Sequence, residues 1–245
     1  MEKHKKSYLI NSFQVDFQAK LRVHTLFNLF QDIADEHAEK IGVGYTFCQQ
    51  NSVGWVGGAY HLKINRMPKW GDCITIETWP SAATPACAIR DFQVKDDKGN
   101  VLINATSQWA LIDIERLRPL PLAKHLPHYD FVNDRALVSE FSKIPTPEGT
   151  PKTTSFPVHV DDIDINCHVN NALYPTWVLD SFDDAFRQTH EISEMRITFR
   201  RPARFGDTIS LNTYLDSLTS VSVLTNSDAS VEFARIQLSW KEIEK

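Results

Sequence analysis

One short stretch of this chain, D-I-N-C-H-V-N-N, contains the residue types that are best suited to chemistry. Asp164, Asn166 and His168 stand at alternate positions in it, so an extended segment would present a carboxylate, an amide and an imidazole on one face. Asn170 and Asn171 follow, and asparagine is favoured at the start of a helix. Backbone N–H groups are free at a helix N-terminus, where they can stabilise a developing oxyanion. The stretch therefore predicts an acid–base site at the start of a helix.

An apolar pattern at helical spacing follows the asparagines and predicts the helix that would hold this stretch. Its members are Leu173, Trp177, Val178, Ser181, Phe182, Ala185 and Phe186. A plainer interpretation needs no chemistry, since a polar loop that only caps the helix would contain the same residue types. The residue pattern alone leaves both interpretations open.

Length and charge limit the classes of protein to which the chain could belong. Its 245 residues allow one large domain or two smaller ones. A net charge of −5 argues against a general nucleic-acid or membrane-surface binder, although it is compatible with a local basic patch. The charged beginning of the chain and the lack of a long apolar run predict a cytoplasmic protein without stable membrane association.

The cysteines and histidines do not form a metal-binding pattern. The four cysteines are widely spaced and include no C-x-x-C pair, which argues against a zinc ribbon or a redox motif. His125 and His128 lie close together, but in a proline-rich segment that is not typical of a metal site. We therefore expect neither a metal ion nor another cofactor.

The elements that would position the polar stretch occur twice along the chain. Each half contains a helix followed by antiparallel strands joined by short turns, which predicts an α+β fold. The halves match around two turns, R-M-P-K-W-G-D and R-P-A-R-F-G-D, in which Gly71 pairs with Gly206 and Asp72 with Asp207. An internal repeat of one unit, a long helix with an antiparallel sheet of about five strands, is therefore expected.

The repeat predicts the domain organisation. We assign the N-terminal unit to residues 1–130, a linker to residues 131–157 and the C-terminal unit to residues 158–245. The linker region is rich in proline and weak in apolar periodicity, and a short helix is expected at residues 134–141. Two such units could join their sheets edge to edge, which would hide two sheet edges.

Three segments resemble one known family. The first, D-x-D-x-N-x-H-V-N-N-x-x-Y-x-x-W, starts at Asp162; the second, V-D-F-x-x-x-L-R-V-x-T-L-F-N-L-F-Q-D, starts at Val15; the third, W-A-L-I-D-I-E-R-L-R-P-L-P, starts at Trp109. Together they resemble the acyl-acyl carrier protein (acyl-ACP) thioesterases of plants and bacteria. The resemblance implies a tandem hotdog fold, in which two antiparallel sheets each wrap a long central helix and join edge to edge. It also implies hydrolysis of the thioester of fatty acyl-ACP, which releases free fatty acid and ends chain elongation in fatty acid biosynthesis.

The resemblance assigns roles to the polar stretch. Catalysis in the family is attributed to the aspartate, asparagine and histidine of this motif, which implies that Asp164, Asn166 and His168 are catalytic. Asp164 would act as a base toward water or orient the site, Asn166 would position water or the thioester, and His168 would polarise the carbonyl or move a proton. Backbone N–H groups of the next three residues would complete an oxyanion site, and Asn170 and Asn171 would contact the substrate. Whether the aspartate or the histidine is the base stays open.

The chain departs from the family at one place. Plant members carry an acidic residue and a cysteine after an aromatic-Arg-Arg step, whereas the F-R-R of this chain is followed by Pro202 and Ala203, which cannot ionise. Cys167 is not an obvious substitute, since its side chain would point away from that of Asn166 in an extended segment. Direct attack by water, or a carboxylate-assisted route, is therefore favoured over an acyl-cysteine.

The N-terminal unit is expected to bind the acyl chain, because it lacks a matching D-x-N-x-H and one active site per chain follows. Candidate lining residues of an acyl tunnel are Phe27, Phe30, Ile33, Trp55, Val56 and Tyr60. Each of them is also typical of a protein core, and that plainer interpretation stays open.

Basic residues near the second turn are candidates for binding acyl carrier protein, which is acidic. They are Arg200, Arg201 and Arg204. Their charges would steer the carrier toward the site. The alternative is that they are solvated charges at the end of a sheet.

Other activities share the implied fold. An acyl-CoA thioesterase is the nearest alternative, whereas an enoyl-thioester hydratase would need a different acid–base arrangement. A non-catalytic acyl-carrier-binding protein is disfavoured by the complete Asp-Asn-His set. The partner would be acyl-loaded carrier protein and not a nucleic acid, and the chain would be a monomer or a homodimer.

Overall fold

The computed structural model describes residues 2–243 and consists of antiparallel strands with a few helices. The chain divides into two compact units, Met1–Phe141 (unit 1) and Ser142–Lys245 (unit 2). Neighbouring strands within each unit are antiparallel, so the α+β class agrees with the sequence prediction.

Unit 1 has a sheet of five main strands with a short sixth one at its margin. The strands are β1 (His4–Leu9), β2 (Val53–Ile64), β3 (Cys73–Ala83), β4 (Ala88–Lys95), β5 (Val101–Asp113) and β6 (Arg118–Pro119). Their order in the sheet is β1-β3-β4-β5-β2, every neighbouring pair is antiparallel, and β6 pairs with β5.

The helices of unit 1 are α1 (Val23–Lys40), α2 (Tyr45–Asn51) and α3 (Leu122–His125). The long helix α1 buries one apolar stripe, as its 3.6-residue spacing predicts. The stripe consists of Val23, Leu26, Phe27, Leu29, Phe30, Ile33, Ala34 and His37. Burying one such phenylalanine or leucine stabilises the fold by roughly 1.5–3 kcal/mol, which makes this stripe a main component of the core of unit 1.

Unit 2 contains five strands and shorter helices. The strands are β7 (Lys152–Pro157), β8 (His190–Phe199), β9 (Thr208–Asp216), β10 (Thr219–Asn226) and β11 (Glu232–Glu242). Their order is β8-β11-β10-β9-β7, again with antiparallel neighbours. The helices are α4 (Leu173–Asp180) and α5 (Asp184–Thr189).

The prediction of one long helix in unit 2 is wrong. The apolar pattern continues from α4 into α5, but the helix is broken between them. The Asp183 side chain accepts the N–H of Phe186 at 2.8 Å and so starts a new helix instead of extending α4. Phe182 and Phe186 still reach a common target, since both rings pack against Trp240 at 4.7 and 5.0 Å. The helical spacing in the sequence therefore reports a shared buried face and not one continuous helix.

The predicted linker is more ordered than its composition indicates. The helix expected at residues 134–141 does not form, and residues 152–157 are strand β7. Arg135 instead donates from Nε to the fully buried carboxylate of Asp91 at 2.9 Å, and the N–H of Ala136 donates to the same carboxylate at 2.9 Å. In unit 2, Arg235 donates to the carbonyl oxygen of Ile144 at 3.2 Å. Each end of the segment is thus fixed to its own unit.

The turns that match in sequence have the same hydrogen bonds. In unit 1 the Asp72 carboxylate accepts the N–H of Lys69 at 2.9 Å, and in unit 2 the Asp207 carboxylate accepts the N–H of Arg204 at 2.8 Å. The glycine before each aspartate has a positive φ, 84° and 91°, which glycine adopts without strain. This agreement gives the internal repeat a structural basis.

Candidate active site

The polar stretch of unit 2 forms a tight turn, so the expectation of an extended segment is wrong. Ile163 and Val169 form an antiparallel bridge, and the N–H of Asp164 donates to the carbonyl oxygen of His168 at 2.9 Å. The N–H of Cys167 donates back to the carbonyl oxygen of Asp164 at 3.0 Å, and Cys167 has a φ of 62°. The argument that the cysteine points away from the active face therefore loses its basis.

The aspartate itself closes this turn. One carboxylate oxygen of Asp164 accepts the N–H of Asn166 at 2.8 Å, which is the hydrogen bond of an Asx turn. The residue between them, Ile165, is 88% exposed and does not take part in the core. An Asp-x-Asn sequence is therefore read better as a turn than as an alternating strand.

The turn brings the aspartate and the histidine together. The Oδ1 atom of Asp164 lies 3.8 Å from Nδ1 of His168, and their side chains are 27% and 34% exposed. This separation is too long for a hydrogen bond but short enough for a proton to pass through one water molecule or a small movement. Asn166 is exposed at the tip of the turn. Carboxylate and imidazole thus meet across the turn, while the amide faces solvent.

The backbone N–H groups after the histidine are mostly occupied, which corrects the predicted oxyanion site. The N–H of Val169 donates to the carbonyl oxygen of Ala203 at 2.9 Å, and that of Asn170 donates to the carbonyl oxygen of Asp162 at 2.9 Å. Within residues 2–243, the N–H of Asn171 has no acceptor. One of the expected donors therefore stays available.

The two asparagines differ in their use at the start of α4. The Oδ1 atom of Asn170 accepts the N–H of Ala172 at 2.9 Å, so this side chain supports the start of the helix. Asn171 makes no such bond, and the helix begins at Leu173. The N-cap of α4 is Ala172, so the predicted capping role of Asn170 and Asn171 is wrong, and the amide oxygen of Asn170 is engaged just before the helix.

Tyr174 is a buried residue of α4 that also connects two parts of the site. It is 1% exposed, and its phenol oxygen accepts the N–H of Ala203 at 3.0 Å. Burial is the main cause that raises the pKa of Tyr174 to about 12; the hydrogen bond from Ala203 acts to lower it, and the negative charges of Asp207 and Asp164 contribute to the rise. The residue type alone could have indicated this contact, because a buried tyrosine hydroxyl usually has a hydrogen-bond partner.

The same tight turn occurs in unit 1, where the sequence comparison found no matching motif. Val15 and Leu21 form the corresponding bridge, and the N–H of Asp16 donates to the carbonyl oxygen of Lys20 at 2.8 Å. The carboxylate of Asp16 accepts the N–H of Gln18 at 2.9 Å. Asp16, Gln18 and Lys20 therefore occupy the positions of the Asp-Asn-His set. The backbone of the site is duplicated, whereas its imidazole is not.

Four of the six predicted acyl-chain residues lie together in unit 1. Phe27, Phe30, Ile33 and Tyr60 are at most 4% exposed. The ring centroids of Phe27 and Tyr60 are 5.1 Å apart, and those of Phe27 and Phe30 are 6.3 Å apart. These residues belong to the aromatic core around α1.

The other two residues do not join this cluster. Trp55 packs on a separate core group that includes Val53 and Leu111, and its Nε1 atom donates to the carbonyl oxygen of Val43 at 2.8 Å. Val56 is 44% exposed. Adjacent residues of a strand face opposite sides of the sheet, so Trp55 and Val56 cannot line one surface together.

The three arginines of the second turn are not equivalent. Nε of Arg200 lies 2.7 Å from a carboxylate oxygen of Glu232, which also pairs with Arg235 at 2.7 Å. Arg201 and Arg204 are exposed, and no carboxylate of the described part of the chain lies within ion-pair distance of either. The free positive charge of this turn therefore resides on Arg201 and Arg204.

Neither a metal-binding cluster nor a membrane-crossing helix occurs among the described residues. Within residues 2–243, no group of three or more histidine, cysteine, aspartate or glutamate side chains is placed to hold a metal ion. No helix among them is both long and apolar enough to cross a membrane.

Family models match nearly the whole chain. Residues 1–128 match the acyl-ACP thioesterase N-terminal domain, and residues 146–242 match the acyl-ACP thioesterase C-terminal domain. The junction of the two matches agrees with the division of the structure into two units.

Curated relatives are similar over most of this chain. The chloroplastic oleoyl-acyl carrier protein thioesterase 1 of Arabidopsis thaliana is 29% identical over 241 residues, which cover 89% of this chain and 64% of the relative. A chloroplastic acyl-[acyl-carrier-protein] hydrolase of Cuphea viscosissima is 27% identical over 227 residues, which cover 86% of this chain and 55% of the relative. The chain thus spans less than two thirds of the length of these relatives.

Solved structures share the fold. An acyl-ACP thioesterase from Bacteroides thetaiotaomicron superposes with a TM-score of 0.86 at 22% identity and covers 98% of both chains. The 12:0-ACP thioesterase from Umbellularia californica gives a TM-score of 0.86 at 21% identity, again with 98% of both chains.

Proposed function

We propose, from the premise that this chain belongs to the acyl-ACP thioesterase family, that it hydrolyses fatty acyl-ACP. The reaction releases free fatty acid and ends chain elongation in fatty acid biosynthesis. The observation that carries the proposal is the Asp164–His168 pair, whose oxygen and nitrogen atoms are 3.8 Å apart at a solvent-accessible turn of unit 2. A base beside a proton carrier is what hydrolysis of a thioester by water requires.

The proposed reaction proceeds by direct attack of water. The water oxygen bonds to the thioester carbon while Asp164 or His168 takes one of its protons, which gives a tetrahedral intermediate with a negative oxygen. Collapse of this intermediate breaks the carbon–sulfur bond, and the departing thiolate receives the proton. No covalent acyl-enzyme is needed, in keeping with Pro202 and Ala203, which offer no ionisable side chain.

Stabilisation of the intermediate oxygen is assigned to two donors. The first donor is the backbone N–H of Asn171, which has no acceptor within residues 2–243. The second donor is the exposed side-chain amide of Asn166. Removing one donor of this type typically lowers kcat by about 10²- to 10³-fold. Since the side chain of Asn170 supports the helix start, we assign substrate contact to Asn171 in preference to Asn170.

We propose the tandem hotdog arrangement for the whole chain, with two sheets joined edge to edge. The shared turns at Asp72 and Asp207, and at Asp16 and Asp164, support a duplicated unit. Within it, the acyl chain is assigned to unit 1, near the aromatic cluster of Phe27.

The carrier protein is assigned to the basic turn of unit 2. Arg201 and Arg204 supply positive charge for an acidic partner, whereas the charge of Arg200 is compensated by Glu232. We propose a cytoplasmic location and either a monomer or a homodimer, which cell fractionation and analytical ultracentrifugation would test.

An acyl-CoA thioesterase and a non-catalytic acyl-carrier-binding protein are the competing functions. The decisive experiment compares hydrolysis of acyl-ACP and acyl-CoA over several chain lengths, with His168→Ala as the control. A higher kcat/KM for acyl-ACP supports the proposal, and a higher value for acyl-CoA supports the first alternative. No hydrolysis of either substrate would reject an enzymatic function.

A further inference from the structure

The duplicated turn is anchored by the same hydrogen bond in both units, but a second bond behind this anchor occurs in unit 2 only. In unit 2 the N–H of Val169 donates to the carbonyl oxygen of Ala203 at 2.9 Å; in unit 1 the N–H of Leu21 donates to that of Pro68 at 2.7 Å. Ala203 and Pro68 therefore occupy equivalent positions, and both are buried. This bond anchors the chain directly after the His168 or Lys20 position in each unit.

The difference lies in the next bond. Ala203 has an N–H, which donates to the phenol oxygen of Tyr174 at 3.0 Å. Pro68 has no N–H, and the residue at the place of Tyr174 in unit 1 is the fully buried Leu26, which has no hydroxyl. Tyr174 stands five residues after Val169, as Leu26 stands five residues after Leu21. A proline–leucine pair in unit 1 thus replaces an alanine–tyrosine pair in unit 2.

We infer that Tyr174 is a positioning residue of the active site: its hydroxyl holds the Ala203 peptide, which through Val169 holds His168 beside Asp164. The inference rests on the proposed thioester hydrolysis. The connection is a short series of hydrogen bonds, from the tyrosine oxygen to the N–H of Ala203 and from the carbonyl oxygen of Ala203 to the N–H of Val169. Tyr174 does not touch the reacting atoms and acts through this series only.

The bond is needed in unit 2 because Ala203 lacks a restraint that Pro68 has. Proline fixes its own φ near −65°, so Pro68 holds its carbonyl oxygen without help from a side chain. Ala203 has no such restriction, and its N–H is buried where an unmade hydrogen bond is costly. The tyrosine hydroxyl satisfies this N–H and fixes the peptide group before Ala203, from which the carbonyl oxygen that binds Val169 follows through the Ala203 Cα. A misplacement of about 1 Å at a catalytic group can lower the rate about a hundredfold.

The test compares Tyr174→Phe, the double variant Tyr174→Phe/Ala203→Pro and the wild type. The double variant reproduces the arrangement of unit 1, in which proline replaces the missing hydrogen bond. Tyr8→Phe is the matched control, because it removes a hydroxyl that donates to Asp32 at 2.9 Å in unit 1. The measurements are Tm, kcat and KM with acyl-ACP at 25 °C, where folding of each variant is verified by circular dichroism.

We expect Tyr174→Phe to lower kcat by about ten- to a hundredfold while KM stays within about twofold, because geometry and not binding is affected. The double variant is expected to recover both Tm and most of kcat, and Tyr8→Phe to keep the wild-type kcat. If Tyr174→Phe does not fold, the double variant decides alone: kcat near the wild-type value supports the inference, and its loss overturns it.

Three results would overturn the inference. A folded Tyr174→Phe with wild-type kcat and a lower Tm assigns the hydroxyl to stability alone. A rise in KM with unchanged kcat assigns it to substrate binding. A double variant with recovered Tm but low kcat means that the hydroxyl does not act through Ala203. Failure of the proposed function is distinguishable from all three, since the wild-type protein would then hydrolyse no acyl-ACP at all.

Discussion

His37 should make the stability of the protein depend on pH, and its contacts give the size of the effect. The residue is 4% exposed on α1, and its Nδ1 atom lies 3.1 Å from a guanidinium nitrogen of Arg90. Since a guanidinium only donates, Nδ1 must accept, and the neutral ring carries its proton on Nε2. Burial is the main cause that lowers the pKa of His37 from 6.5 to about 3, and the charges of Arg90, His4 and Lys40 contribute to this shift.

The sign follows from the protons that each state binds. Below pH 6.5 the unfolded chain protonates this histidine, whereas the folded protein keeps it neutral down to about pH 3. The unfolded state therefore binds more protons, and the free energy of unfolding falls as the pH falls. The contribution of His37 is fully present above pH 6.5 and is lost progressively toward pH 3. At pH 5, about 1.5 units below the unfolded pKa, the loss is about 2 kcal/mol at 1.36 kcal/mol per unit.

The perturbation that tests this reasoning is His37→Asn, because the asparagine oxygen replaces Nδ1 as an acceptor for Arg90 and does not titrate. Urea unfolding at pH 7 and pH 5 gives the free energy of unfolding for each protein. His128→Asn is the control, since the His128 side chain is 93% exposed and lies 3.7 Å from the exposed carboxylate of Asp130 only at the protein surface.

The expected result is a difference between the proteins and not a single value. Wild type and His128→Asn should lose about 2 kcal/mol more between pH 7 and pH 5 than His37→Asn does. Equal losses in all three proteins would refute the reasoning, because the titration of His37 would then not be coupled to folding.

The other predictions concern the site. His168→Ala is expected to lower kcat by about 10²- to 10⁴-fold without changing the urea midpoint, and activity above a tenth of wild type would contradict its role. Cys167→Ala should keep kcat within about twofold. The fold should be unaffected, because Ala19 at the equivalent position of unit 1 has a φ of 56°, close to the 62° of Cys167. Loss of turnover in that folded variant would favour an acyl-cysteine. Arg201→Glu with Arg204→Glu should raise KM about tenfold for acyl-ACP and less for a small acyl thioester, and equal increases would exclude carrier docking there.

The sequence predicted elements well where local chemistry decides the structure. The glycine and aspartate of the two matching turns demand a positive φ and a carboxylate acceptor, and both turns form as their residues indicate. The apolar stripe of α1 identified a buried helix for the same reason, since Leu26, Phe30 and Ile33 share one face.

The errors arose where two local signals competed or where the partner is distant in sequence. Asp164 forms an Asx turn, which overrides the alternation of polar residues. Asp183 starts a new helix within one apolar pattern. The acceptors of the Val169 and Asn170 amides are set by tertiary structure, which periodicity cannot show. The turn of unit 1 was missed because D-F-Q-A-K shares only its aspartate with D-I-N-C-H.

The duplicated turn separates folding from chemistry within one loop. Its shape depends on the backbone and on the aspartate carboxylate, which bonds to the second residue after it in both units. The side chains at the amide and imidazole positions differ between the units, since Gln18 and Lys20 stand on a turn with the same bridge and backbone hydrogen bonds as that of Asn166 and His168. A catalytic group can therefore be gained or lost at these positions without loss of the fold. Such a loop lets the two copies of a repeated unit carry different side chains on one backbone.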